Sequence, residues 1–287
     1  MKNLEIKKLN KSVLEKATLI CKGSGFMKTY DLNNGNILKL LKEKDERNFL
    51  HFAYFDEFKE CLEEKLKLAK YIYSDSIVLP NAIYMKNDNV VGYSVPKIDL
   101  KSIDQIIEEE NYDIDFISKT FDALSYEVRK NNKEEILFPD LGNISNVFMD
   151  KKDFKIKFID FDGLQIGDYE SYSVSSLMDK GTDLIFGNKK YVDKKTTLFT
   201  TDFDKASLLT LYLYFLTGKN IVDLPNTIYE ARNNIPKVNE ERFNKLLDEL
   251  KLLNTPIEDD IRRMFDITRS NNYPNTAIKK MAKIYKK

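Results

Sequence analysis

Apolar residues recur along this chain with two different periods, and the change from one to the other divides it. Short strand-like runs, some bounded by Gly- and Asn-rich turns, lie at residues 17–22, 27–32, 37–41, 77–84 and 90–95, and a period of two, the mark of a strand with one buried side, is clear over Phe154 to Ile159. Asn33-Asn34-Gly35-Asn36 and Lys86-Asn87-Asp88-Asn89 separate neighbouring runs and read as hairpin turns, because Asn and Gly tolerate positive φ. Between the second and third of these five runs and the last two, residues 56–73 switch to helical spacing, with Phe58, Leu62, Leu66 and Ala69 on one face. Beyond Asp99 helical spacing dominates, over 102–109, 114–130, 204–218, 239–253, 257–267 and 276–285. It is interrupted by two short extended runs, Asn146 to Met149 and Phe154 to Ile159, around an Asp150-Lys151-Lys152-Asp153 turn. Residues 1–16 are amphipathic and give no assignment, 42–55 read as a charged, aromatic insertion, and the polar span from Gln165 to Thr201 has no clear period. A loop of that length in a compact domain is usually functional or mobile.

The hairpin over residues 146–159 carries the densest chemistry. An antiparallel pair brings the start of its first strand and the end of its second to one edge. That edge collects Asp140 and Asn146 from one side and Asp160 and Asp162 from the other. Oxygen donors converging in this way suit a hard cation such as magnesium, which keeps room for phosphate. Taken singly, each Asp or Asn here is equally a turn residue. Gly23-Ser24-Gly25 joins the first two runs, where a glycine turn lets backbone amides approach an anion or simply reverses the chain. Lys39 sits between apolar Leu38 and Leu40, on a strand.

Composition narrows the classes. A chain of 287 residues can bury a substantial core as one large domain or two lobes. Lys plus Arg and Asp plus Glu both number 46, so no excess of basic charge points toward nucleic acid. Two cysteines, Cys21 and Cys61, are too few for a disulfide framework and read as free thiols in a reducing compartment. The single histidine, His51, leaves little material for a histidine triad or zinc site, so acid–base chemistry must rest on carboxylates, lysine or tyrosine. The N-terminal residues lack the continuous apolar core of a secretory signal, and the longest apolar run, Ala206 to Leu216, is too short to span a bilayer. A cytoplasmic protein with no membrane span is expected.

In order along the chain, these pieces resemble the catalytic core of the protein kinase superfamily. The resemblance covers about Ala17 to Gly218 and rests on Gly23-Ser24-Gly25, Lys39, Phe138-Pro139-Asp140, Asn146 and Asp160-Phe161-Asp162-Gly163. It implies an α+β, two-lobed protein kinase-like fold. Residues 1–97 would form a small β-rich N-lobe with one main helix, and 98–287 a larger, mostly helical C-lobe. It implies ATP and Mg2+ as cofactors, with the γ-phosphate passed to an acceptor hydroxyl, on protein Ser/Thr or on a small molecule. By residue, it implies that Gly23, Ser24 and Gly25 cover the phosphates and that Lys39 holds the α- and β-phosphates. Glu64 of the 56–73 helix would hold Lys39, with Glu60 and Glu63 as alternatives. The backbone around Val95, Lys97 and Ile98 would meet the adenine. Asp140 would orient the acceptor and take its proton, Asp160 and Asn146 would bind metal, and Asp204 would brace the catalytic loop. Asn143 competes with Asn146, and Asp162 either binds metal or hydrogen-bonds the loop that follows.

Four departures from the family pattern bear on activity. The family's third loop glycine is missing, with Lys28 near its place. Phe138-Pro139 stands where His-Arg is usual, which removes the Arg that reads a phosphorylated activation loop, so activity independent of such phosphorylation is expected. Asn146 lies six residues after Asp140, one more than usual. No APE motif closes the polar span. Two other readings stay open: a pseudokinase-like module that binds nucleotide or a partner, and an unrelated α+β binding protein.

Overall fold

The computed structural model describes residues 4–23, 25–43, 46, 54–109, 114–172, 196, 198–201, 203, 204, 207 and 208. The helices expected over 239–253, 257–267 and 276–285, nearly all of that over 204–218, and most of 42–55 and 165–201 lie outside the described residues. Within them the chain is a mixed α+β structure. Its main feature is a six-stranded sheet of β1 (Glu5–Lys8), β2 (Thr18–Cys21), β3 (Met27–Asp31), β4 (Asn36–Leu41), β5 (Ala82–Lys86) and β6 (Asn89–Pro96), in the order β1-β5-β6-β4-β3-β2.

All neighbours in this sheet are antiparallel except β1 and β5. Both expected turns form. Asn33 and Gly35 carry φ of 56° and 81°, and Asn87 and Asp88 carry 50° and 61°, the left-handed pair that matches strand twist in a two-residue hairpin. β6 approaches β4 closely at Gly92, opposite Leu40, where a Cβ would sit 2.2 Å from the Lys39 carbonyl oxygen. No side chain fits at that crossing.

The alternation along β4 sends its residues to two different environments. Leu38 and Leu40 pack with Ala82 and Tyr84 on one face, which Leu9, Val13 and Leu14 cover. The last two belong to or flank α1 (Lys11–Glu15), whose first turn is capped by the Asn10 side chain accepting from the Val13 amide at 3.1 Å. The opening residues, which the pattern left unassigned, therefore supply an edge strand and a cover for the sheet. They escaped assignment because the strand is exposed throughout and carries no alternation of its own.

The other face carries Leu41, Tyr93 and Val95 against α2 (Phe55–Leu68). The helix buries Phe58, Leu62 and Leu66, the four-residue spacing that the pattern predicted, together with Lys65, which it did not. Each large apolar side chain so placed contributes roughly 1.5–3 kcal/mol. Its 14 residues end at Leu68 and a 3-10 turn continues over Ala69–Tyr71, so the helical stretch stops two residues short of the expected Tyr73, where Ile72 turns extended.

Beyond the sheet come β7 (Lys101–Ser102), α3 (Ile103–Glu109), α4 (Ile114–Asn132), β8 (Ile136–Leu137), β9 (Val147–Met149), β10 (Ile156–Phe158) and β11 (Gln165–Ile166). β10, β9 and β7 form an antiparallel sheet in that order, and β11 pairs with β8. β10 begins later than predicted because Phe154 turns left-handed, at φ 57°, and packs its ring 5.4 Å from Phe116. The expected strand over 77–84 is split at Pro80. Ile77 bridges in parallel to Phe158, with the Val78 amide donating to the Phe158 carbonyl at 2.8 Å and the Phe158 amide to Ser76 at 2.7 Å, and only from Ala82 does the chain join the large sheet. That bridge ties the large sheet's connection to the β9–β10 hairpin. Among the described residues no helix is long and apolar enough to cross a membrane.

Candidate functional site

The β9–β10 register, Val147 opposite Phe158, brings Asn146 and the residues after Phe158 to one edge, and the Ile159 amide donates to the Asn146 carbonyl at 3.1 Å. Asp140 reaches that edge through back-to-back turns. Leu141 donates to Phe138 at 2.9 Å, Asn143 to Asp140 at 3.0 Å and Asn146 to Asn143 at 2.9 Å, all through backbone. These turns accommodate the six-residue spacing from Asp140 to Asn146. The Asn146 amide donates to Asp140 Oδ2 at 3.0 Å, and the more exposed Asn143 to the same oxygen at 3.4 Å. Phe138, Asp140, Asn146, Val147, Asp160 and Leu164 line one cavity.

Behind the cavity stands Asp204, fully buried. Its two carboxylate oxygens accept from the Phe138 amide at 2.9 and 3.1 Å. With the Asn132 amide oriented so that its nitrogen faces acceptors, it donates to Asp204 Oδ2 at 2.8 Å. Asp204 thus fixes the backbone two residues before Asp140, from more than sixty positions downstream. Burial pushes its carboxyl up to about 8, against the pull of those two donors.

Lys39 crosses from the large sheet to meet this edge. The alternation of β4 points it to the same face as Tyr93, its partner in the β4–β6 register. Its ammonium pairs with Asp160 Oδ1 and, at 2.8 Å, with Asp162 Oδ1. Tyr93 donates its hydroxyl to that same Asp162 oxygen and accepts from the Asp162 amide at 3.3 Å. The 3-10 turn Phe161–Gly163 presents Asp162 inward, and Phe161 packs edge-on to Tyr93 with ring centroids 6.0 Å apart. From α2, Lys65 donates to the Asp162 carbonyl at 3.1 Å.

The charges are arranged unequally. Burial works against the Lys39 cation, but Asp160 and Asp162 outweigh it and raise its pKa well above the usual lysine range. Burial and the Asp162 charge raise Asp160, whereas at Asp162 Lys39 and the Tyr93 hydroxyl outweigh burial and lower it. Asp140 lies next to this cluster without its own cation, and burial together with the Asp160 charge pushes its carboxyl up to about 7. Among the described residues no three His, Cys, Asp or Glu side chains form a metal cage. A magnesium ion bound through one or two protein oxygens and phosphate needs none. Asp160 and Asn146, on one cavity wall, fit that donor set.

Other predicted residues fall differently. Glu64 does not meet Lys39: it pairs with Lys67 on the half-exposed side of α2, while Glu63 faces Lys59 at 3.8 Å and Glu60 is exposed. The expected glutamate partner is corrected to Asp160 and Asp162. The physical reason is helix register, since burying Phe58, Leu62 and Leu66 turns Lys65 inward and its neighbour Glu64 away. Gly23 takes the left-handed φ of 64° that a tight turn requires, its carbonyl accepting from Lys42 at 2.7 Å. Gly25 has open space around its α-carbon, and Ser24 lies outside the described residues. Val95 pairs with Ile37, the Lys97 amide donates to Gly35 at 2.9 Å while its ammonium pairs with Asp31 at 2.6 Å, and Ile98 packs on the core.

Tyr93 and Lys65 went unnoticed in the sequence. A lysine on a charged helix reads as solvated, and nothing local links Tyr93 to β4. The one usable signal was Gly92, whose lack of a side chain marks a close strand crossing. No protein-family model matches the chain, and no curated protein matches it.

Proposed function

We propose that the protein is an ATP- and Mg2+-dependent phosphotransferase of two-lobed, protein kinase-like organisation, with residues 1–97 and 98–287 as its lobes. It transfers the γ-phosphate to a hydroxyl acceptor, on protein Ser/Thr or on a small molecule. The observation that carries this reading is the convergence on one edge of a strand lysine, Lys39, with Asp160, Asn146 and Asp140, backed by Asp204. Sequence order alone suggested that set; the geometry brings its members within reach of one another.

Phosphoryl transfer depends on positioning and on neutralising spread negative charge. Lys39 supplies a cation kept fully protonated at neutral pH. Asp160 and Asn146 would hold the magnesium ion, which supplies charge neutralisation at the phosphates. Asp140, with a carboxyl poised near neutrality and oriented by Asn146 and Asn143, accepts the acceptor's proton at its free oxygen.

A second reading has its own support. With Lys39 engaged by two carboxylates and no glutamate from α2 beside it, the same pocket serves a module that binds nucleotide without turning it over. Mg2+-dependent ATP turnover, measured for wild type, Asp140→Ala and Asp160→Ala, separates the two. The phosphotransferase reading expects turnover that each variant lowers by about a hundredfold or more. Nucleotide binding with no turnover, alone or with a panel of protein and small-molecule hydroxyl acceptors, supports the binding module instead. No nucleotide binding at all rejects both.

A further inference from the structure

We infer that Asp162, held by Tyr93 and Lys65, is the residue that positions Lys39, in the role for which a carboxylate on the long helix was expected. The inference rests on the phosphotransferase reading for what Lys39 does, and on geometry for what Asp162 does. Three contacts fix Asp162 before any ligand arrives. Its Oδ1 takes the Tyr93 hydroxyl, its amide donates back to that hydroxyl at 3.3 Å, and its carbonyl takes the Lys65 ammonium at 3.1 Å. Both partners come from regular elements: Tyr93 from the middle of β6 and wholly buried, Lys65 from the buried face of α2. The same Oδ1 lies 2.8 Å from the Lys39 ammonium.

Asp160 also touches Lys39, but it lines the cavity and its side chain is more than twice as exposed as that of Asp162, 19% against 8%. The two carboxylates therefore divide the work. Asp160 faces the ligand, and Asp162 stays with the lysine when Asp160 turns to other partners. Glu64 leaves the position open by pairing with Lys67. Lys65 is the connection between the helix and the site, acting through a backbone carbonyl instead of a carboxylate. Asp162 and Tyr93 are positioning residues, and neither touches a reacting atom.

The test uses the full chain in two arms. In the first, without nucleotide, acetic anhydride labels lysines and mass spectrometry quantifies Lys39. Loss of a charge-assisted partner both exposes an ammonium and favours its reactive neutral form. Asp162→Asn should raise Lys39 labelling by roughly fivefold, Tyr93→Phe by a smaller factor, and Glu64→Gln not at all. Unchanged labelling in both Asp162→Asn and Tyr93→Phe, or an equal rise in Glu64→Gln, overturns the inference. In the second arm, MgATP affinity is measured for Asp162→Asn in wild-type and Lys39→Met backgrounds. An approximately tenfold loss in the first that shrinks below about twofold in the second shows that Asp162 acts through Lys39. Equal losses in both backgrounds overturn the inference and leave the phosphotransferase reading standing. A wild type that does not bind MgATP overturns that reading and the functional half of the inference, with the labelling arm still deciding whether the clamp exists.

Discussion

The strand side and the helix side of the site each bring one lysine to the Asp160–Asp162 segment, and the two are held in opposite ways. Lys39 on β4 meets two carboxylates and keeps its charge, its pKa raised well above the ordinary lysine range. Lys65 on α2 is 1% exposed, donates to a backbone carbonyl, and has its pKa lowered by burial. The chain spends its carboxylates on one lysine and leaves the other to a weaker acceptor. On the phosphotransferase reading proposed above, the cation that meets an anionic ligand must remain charged at neutral pH, and the strand lysine does. The helix lysine instead closes a packing problem, satisfying a carbonyl that the turn Phe161–Gly163 points inward.

The contrast can be broken in several places. Lys39→Met should cause the largest change, a loss of turnover of about a hundredfold to a thousandfold in single-turnover measurements. It should also lower stability by roughly 2–3 kcal/mol in chemical denaturation, because two partly buried carboxylates lose their counter-charge. Adding Asp160→Asn to that variant should restore part of the stability. Turnover within tenfold of wild type would remove Lys39 from the machinery.

Gly92→Ala tests the strand side without touching a charge. The added Cβ meets the Lys39 carbonyl, so β6 must move off β4 and carry Tyr93 with it, at a cost of about 2 kcal/mol. A stability loss below about 0.5 kcal/mol would mean that the strands absorb the change and that Gly92 does not set the crossing.

Lys65→Met addresses the helix side. It removes a buried cation and keeps most of its volume, so stability should change by no more than about 1 kcal/mol and turnover by less than roughly fivefold. If it matches Lys39→Met in turnover, the two lysines do the same job and the distinction fails.

The last test concerns Asp204 and reads the pH dependence of stability. Its folded pKa of about 8 lies above the ordinary carboxylate value of 3.8, so the folded chain holds a proton that the unfolded chain releases between those values. The stability tied to that proton is present below pH 3.8 and is lost as pH rises toward 8. Asp204→Asn should flatten the fall in thermal stability between pH 5 and 8, since an amide cannot release a proton over that interval. An unaltered slope would place the titration elsewhere.

Much of the strand side was legible in the sequence. Short strand-like runs between turns located β3, β4 and β6, the Asn-Gly turn fixed one hairpin, and the apolar flanks of Lys39 announced a strand lysine. The edge that gathers Asp140, Asn146 and Asp160 followed from antiparallel geometry alone. The helix side was legible only as a helix. A period of 3.6 identifies the buried stripe to within one residue, and one residue is the whole difference between Glu64 and Lys65. Tyr93 was invisible because its role depends on the pairing of β6 with β4 across an intervening helix, a register that no local pattern encodes. The first strand was missed for a simpler reason, since an exposed edge strand has no hydrophobic alternation to read.

The bridge between Ile77 and Phe158 gives the site a mechanical character. Two backbone bonds rivet the connection leading into β5 to the strand that delivers Asp160. Lys39 and Asp160 come from parts of the chain 121 residues apart, yet the rivet sits only two positions before Asp160. The carboxylate that meets Lys39 is thus anchored by main-chain bonds close behind it, so its place is set by backbone and not by side-chain packing alone.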